Sequence, residues 1–302
     1  MFCCFYTIKC NNLKILKADI IRMFQGNLCN FIKIVRVKDW FYIIGIAFLG
    51  FLYKIEQFKF YEAVYLLIVA SLFVIHGYVT NTYYDMKHEK SSSSKYYDKN
   101  TESNLLFYMA LAAFLINMVI SLLYSNILFV LVVVGGIVSF IYSSSWTRMK
   151  DKPFLNIILN STGFTILFLI GYFFNKYVSI DVLYLSGYIW LGIIPSQIIH
   201  LLAHNRFERN WPLPVNVSLK FFYIFQLLWL GEISMACVFL NNIYPIFVLT
   251  LLFCITQIVI IKICMRRLSS NSGIFLKIRD KFKFVHIIFG LFFAIILILF
   301  KH

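Results

Sequence analysis

Tyr78-Val-Thr-Asn-Thr-Tyr-Tyr-Asp-Met-Lys-His-Glu-Lys90 completes a long apolar run that begins at Tyr61. Continued as a helix, it sets Asn81, Asp85 and Glu89 at i, i+4 and i+8. Each step drifts by only about 40°, about 80° over the whole set, which climbs roughly 12 Å, so the three side chains share one broad stripe. An amide and two carboxylates at the mouth of a membrane helix are costly there unless positive charge joins them. Hard cations take oxygen ligands and share them with phosphates. The stripe therefore reads as a place for Mg²⁺ carrying a diphosphate.

Composition makes the run a membrane span. Of 302 residues, 61% are hydrophobic and 14% charged, outside the range of an ordinary soluble domain. The apolar residues come in blocks of about 18–24, the length that crosses a bilayer. Nine spans are expected, over 40–56, 61–83, 104–123, 126–144, 153–175, 182–202, 217–240, 243–263 and 283–300. The fold class is thus an all-α polytopic membrane protein, with residues 36–302 as a single transmembrane domain. Residues 1–35 interleave Lys14, Lys17 and Arg22 with Leu13, Ile15, Leu16, Ile20 and Ile21. That pattern suits a basic amphipathic segment lying on a membrane surface.

The net charge of +15 does not point to nucleic acid, because its placement follows topology. Among the loops and termini, only Lys54, Lys59, Lys176 and Lys301 depart from the N-terminal segment and the loops after spans two, four, six and eight. The positive-inside rule then sets the N-terminus in the cytoplasm and the C-terminus outside, with the surplus cations facing anionic lipid. None of the seven cysteines forms a CxxC pair, so neither a disulfide framework nor a zinc site is indicated.

Four other segments carry polar residues where apolar ones are expected. Arg36-Val-Lys-Asp-Trp40 puts Arg36 and Lys38 beside an aromatic just before span one, either as a headgroup anchor or as a phosphate contact at an entrance. Ser91 to Ser94 interrupt the loop after span two and read as a mobile cover. Span four ends in Tyr142 and Ser143, followed by Arg148, Lys150 and Lys152. Cations there belong equally to the topology signal or to a leaving diphosphate. Span six ends with Gln197, His200, His204 and Glu208, and its last three repeat the i, i+4, i+8 spacing. The two polar ladders close even-numbered spans four apart, which suggests two four-helix halves plus a ninth helix, with a cytoplasmic site where the halves meet. Glu232 stands alone in span seven, and residues 265–283 read as a basic loop.

Taken in order, these segments resemble the UbiA superfamily of intramembrane prenyltransferases over roughly residues 33–300. Asn81, Asp85 and Glu89 match its first motif, Asn-x-x-x-Asp-x-x-x-Asp, with Glu for the last Asp. Gln197, His200, His204 and Glu208 match the second loosely. Arg36 to Trp40, and Tyr142-Ser143 with Arg148, Lys150 and Pro153, resemble segments of the polyprenyl phosphoribose synthase branch. The first motif here lacks the His-Pro-x-Lys-x-x-Arg-Pro tail of close phosphoribose relatives.

The resemblance implies Mg²⁺-dependent transfer of a prenyl or polyprenyl group from its diphosphate to a small-molecule or lipid acceptor. Asp85, Glu89 and Asn81 would hold one ion, and Glu208, with His204, a second. Arg36, Lys38, Arg148 and Lys150 would meet the diphosphate, and His200 or His204 would take the acceptor's proton. A non-catalytic lipid-binding or transport protein on the same scaffold, and a prenyl diphosphate cyclase or hydrolase, remain as alternatives. The acceptor and the donor chain length are not legible.

Overall fold

The computed structural model describes residues 32, 35–53, 57–88, 103–174, 179–204, 214–239, 244–267 and 274–299. Among them are nine α-helices and no strand: α1 (Val37–Tyr53), α2 (Phe60–His88), α3 (Ser103–Tyr124), α4 (Asn126–Ser143), α5 (Pro153–Phe173), α6 (Asp181–His204), α7 (Val215–Phe239), α8 (Tyr244–Arg267) and α9 (Ile274–Leu299). All but α1 are long and apolar enough to cross a membrane. Apart from residues 32 and 35, the amphipathic segment expected over 1–35 lies outside the described residues, as does the serine run of 91–94.

Local chemistry sets several helix ends. Ser125 accepts the Ile127 amide at 3.2 Å and caps α4, and Pro153 opens α5, where its missing N–H costs nothing. The last helix starts earlier than hydropathy suggests. The basic stretch read as a loop to 283 is already helical from Ile274. Ile274, Ile278 and Phe282 are buried at i, i+4 and i+8, while Lys277 and Lys281 are exposed. A window average loses this amphipathic stripe because its charges dilute the apolar face. Likewise α2 runs to His88, five residues past the apolar limit, carrying Asn81 and Asp85 on helical backbone.

Packing is organised around α1 and α5. An added Cβ on Gly171 would strike the backbone oxygen of Ala47, and one on Gly50 that of Phe168. The two backbones therefore touch, as small residues permit in lipid, where close packing rather than water exclusion drives helix association. Helices α2 and α4 join α1 and α5 around one apolar core that includes Ile43, Ala47, Phe51, Leu66, Val132 and Ile166. Helix α6 packs on α5, α7 and α9, and α9 packs back on α1.

Polar groups inside the bundle are tied across helices, since lipid offers them no water. Asn117 Nδ2 donates to the Val69 carbonyl at 3.2 Å, Gln226 Nε2 to Gln257 Oε1 at 2.6 Å, and Tyr188 and Thr250 share a bond of 2.6 Å. The outer surface is apolar, with Val119, Leu123, Leu227, Leu252 and Phe292 more than half exposed. A bilayer covers such a surface; this is an integral membrane protein.

Candidate functional site

The far end of α2 presents Asn81 and Asp85 to a lysine from a different segment. Lys150 sits in a single 3₁₀ turn, Met149–Asp151, between α4 and α5. Its Nζ forms an ion pair with Asp85 Oδ1 and donates to Asn81 Oδ1 at 3.2 Å. The Lys150 and Asp85 side chains are 12% and 23% exposed, so water screens the pair only in part.

The turn that delivers Lys150 is held from several directions. Thr147 Oγ1 donates to the Ile141 carbonyl at 2.5 Å and accepts from Ser144 Oγ at 2.8 Å. Arg148 adopts a left-handed backbone, φ 34°, and its guanidinium pairs with Asp151. Asn156 Nδ2 then fixes the Lys150 carbonyl at 2.7 Å. Of the two cations in this turn expected to meet the diphosphate, Lys150 reaches the Asp85 carboxylate, and Arg148 is tied to its own turn.

From Asn156 the chain of bonds continues along α5. Asn160 Nδ2 lies 2.9 Å from Asn156 Oδ1, 3.3 Å from the Tyr142 hydroxyl and 3.4 Å from Gln197 Oε1. Thus α2, α4, α5 and α6 contribute to one polar layer at one end of the bundle. Neither Asn156 nor Asn160 is singled out by sequence reasoning. Their signal was available: an i, i+4 amide pair on an apolar helix, the spacing that marks Asn81 and Asp85.

Arg36 enters from α1's side. Its backbone is left-handed, φ 53°, and its guanidinium lies 5.0 Å above the Tyr78 ring, a cation–π distance. Tyr78 precedes Asn81 by three residues, so the two share a helix face. Trp40 Nε1 donates to the Val35 carbonyl at 2.6 Å, which folds the entry to α1 back on itself beside Arg36. Lys38 lies in the first turn of α1.

The remaining expected residues fall as follows. Ser143 ends α4, and its buried Oγ has no hydrogen-bond partner among the described residues. His200 is half-buried on α6, three residues beyond Gln197, and His204 closes that helix. Glu89 and Glu208 lie outside the described residues. A cavity of about 160 Å³ between α1, α2, α4 and α5 is lined by Phe73, Gly77, Tyr78, Tyr142, Asn160 and Phe164, among others. Its polar edge is thus part of the same layer.

Among the described residues, no group of three or more His, Cys, Asp or Glu is placed to hold a metal. The donor chemistry nonetheless suits a hard cation. Asn81 Oδ1 and Asp85 Oδ1 converge on one positive charge, the Lys150 ammonium, and these are the oxygen types that Mg²⁺ prefers.

No protein-family model matches this chain, and no curated protein matches it. Solved structures do. A UbiA homologue from Archaeoglobus fulgidus bound to GPP and Mg²⁺ superposes with a TM-score of 0.71 at 14% identity, covering 89% of this chain and 99% of that one. The chain has the UbiA fold. The same homologue bound to DMAPP and Mg²⁺ gives 0.70 at 15% identity, with the same coverage. A digeranylgeranylglyceryl phosphate synthase gives 0.67 at 16% identity over 90% of this chain and 99% of its own. Within this UbiA fold, Asn81, Asp85, Lys150, Asn160 and Gln197 are the polar side chains that one set of hydrogen bonds and an ion pair brings together.

Proposed function

We propose that the protein is an intramembrane prenyltransferase, moving a prenyl or polyprenyl group from its diphosphate to an acceptor held in the membrane. The observation that carries this reading is the polar layer running from Asp85 and Asn81 through Lys150, Asn156 and Asn160 to Gln197. Similar structures bound to GPP or DMAPP with Mg²⁺ support it. The excess of cations around even-numbered loops supports a cytoplasmic face for the site.

In this reading Asp85 and Asn81 would hold Mg²⁺, with Glu89 completing the first set and Glu208, assisted by His204, forming a second. Bound there, the ion would neutralise the diphosphate and make it a better leaving group. Lys150 then turns from the carboxylate to the diphosphate oxygens, and Arg36 meets them from the α1 side, with Lys38 and Arg148 adding positive field. The allylic C–O bond breaks with its electron pair leaving on the diphosphate. Tyr78, Tyr142, Phe73 and Phe164 offer ring faces to the developing carbocation, each worth roughly 1–2 kcal/mol when dry. Gln197, Tyr142, Ser143 and Asn160 orient the acceptor, which bonds to the allylic carbon and gives its proton to His200 or His204.

Asp85→Asn is the decisive variant. Metal-dependent consumption of a short prenyl diphosphate by purified protein is expected to fall by about 10²-fold or more, with membrane insertion unchanged. Undiminished turnover ends the assignment. A second reading, a non-catalytic lipid binder, draws on Lys150, which already neutralises Asp85 without a divalent ion. Under that reading Mg²⁺ and prenyl diphosphate fail to bind the wild-type protein while lipid still does.

A further inference from the structure

The cavity below the polar layer has a shape that limits length. Three helices run from that layer into the membrane, and each gives the cavity a stripe spaced i, i+3 or i+4, i+7, the residues that share a helix face. On α2 the stripe is Asn81, Gly77 and Val74; on α4 it is Tyr142, Ser139 and Gly135; on α5 it is Asn160, Gly163 and Leu167. All but Asn81 line the space, and Ile43 of α1 closes the fourth side. The first member of each stripe is polar. The middle members are two glycines and a serine, and an added Cβ on Gly77 or Gly163 would meet nothing within 4 Å. The open space therefore lies at this middle level.

Its far end is shut. One turn deeper stand Ala70, Val132 and Ile170, none of which lines the cavity and each of which is 1% exposed or less. They belong to the apolar core that α1, α2, α4 and α5 share. Cα–Cβ bonds tilt toward a helix N-terminus, and the N-terminal end of α5 is its polar-layer end. Leu167 thus rises from this core into the base of the cavity. The same four helices pack pairwise around the sides.

Depth and volume agree. Seven residues separate the polar layer from the base on each helix, about 10 Å of rise. An extended isoprene unit has four chain carbons, and with C–C bonds of about 1.5 Å it spans roughly 5 Å. The cavity is no deeper than two such units. Its volume of about 160 Å³ is close to the roughly 150 Å³ of an apolar cavity that takes one benzene, so it holds on the order of one to two five-carbon units. We propose that this cavity limits the donor to one or two isoprene units, dimethylallyl or geranyl, with Gly163 leaving room for the second unit and Leu167 stopping a third. The diphosphate sits at the Asp85 layer and the chain follows the three stripes downward. This inference rests on the prenyltransferase reading and narrows it to short donors.

The test uses the S-thiolodiphosphates of dimethylallyl, geranyl and farnesyl chains, whose C–S bond resists ionisation, so that binding is read without turnover. Equilibrium dialysis with Mg²⁺ is run against the full chain in lipid nanodiscs, with protein-free nanodiscs subtracted. The probes share one head, so affinity ratios report on the chain alone. The wild-type protein is expected to bind the geranyl probe about tenfold or more tighter than the farnesyl probe. Leu167→Ala should bring the two within about twofold, and Gly163→Leu should weaken the geranyl probe by about tenfold or more while the dimethylallyl probe keeps its affinity. Retained dimethylallyl binding shows that each variant is folded, and the wild-type comparison needs no variant. Farnesyl binding as tight as geranyl binding in the wild-type protein overturns the proposal. So does a wild-type preference unchanged in Leu167→Ala, or a geranyl affinity unchanged in Gly163→Leu. Failure of all three probes to bind the wild-type protein refutes the prenyltransferase reading itself, and the length limit falls with it.

Discussion

At the residue scale, Lys150 holds the position that a metal would contest. Two cations competing for one carboxylate weaken each other's binding. Lys150→Met should therefore raise the affinity of the protein for Mg²⁺ alone by several-fold, while prenyl diphosphate turnover falls by roughly 10²-fold for want of a charge on the leaving group. Calorimetry and a diphosphate-release assay read the two arms separately. A parallel fall in both contradicts the competition. The helix face of Asn81 and Asp85 was legible from spacing alone, because i, i+4 geometry is local. Their meeting with Lys150, 69 residues from Asn81, was not, since no local rule links a loop lysine to a particular helix. Asn160 was missed for the opposite reason. An amide on an apolar helix is ordinarily an interior residue bonded to its neighbours, and only its position between Tyr142 and Gln197 distinguishes it.

At the scale of single helices, hydropathy located the apolar centre of each and misjudged polar ends. Helix α9 shows why: its first nine residues are basic on one side and apolar on the other, so their average resembles a loop and their period resembles a helix. Lys281→Pro discriminates between these. In a loop ending at 283 the substitution is harmless, whereas eight residues into a helix it removes a backbone bond and costs about 3 kcal/mol or more. The expected result is a clear drop in the thermal midpoint relative to Lys281→Ala, measured in the same detergent. Equal midpoints show that the segment does not rely on helical backbone there.

Across the whole molecule, the sequence announces how many helices there are but not how they pack, because lipid-facing and core-facing sides are equally apolar. The glycine contact between α1 and α5 settles part of this. Gly171→Ala forces a methyl into the Ala47 backbone oxygen, an overpacking expected to cost about 1–3 kcal/mol in a reversible denaturant titration. Gly231→Ala, which meets nothing within 4 Å, is the matched control and should be close to neutral. Comparable losses for both variants would remove the argument that this crossing is specifically tight.

That crossing also sets a depth gauge. A phenyl ring in the way can rotate aside, but a peptide oxygen cannot, so the α1–α5 contact admits little adjustment. Asn160 stands eleven residues before Gly171 on one rigid helix, about 16 Å along its axis. One residue inserted between them would swing the amide about 100° around the helix and carry it off Tyr142 and Gln197, while α5 grew by only about 1.5 Å. Length variation is therefore tolerable in the connections between helices and forbidden in this stretch of eleven.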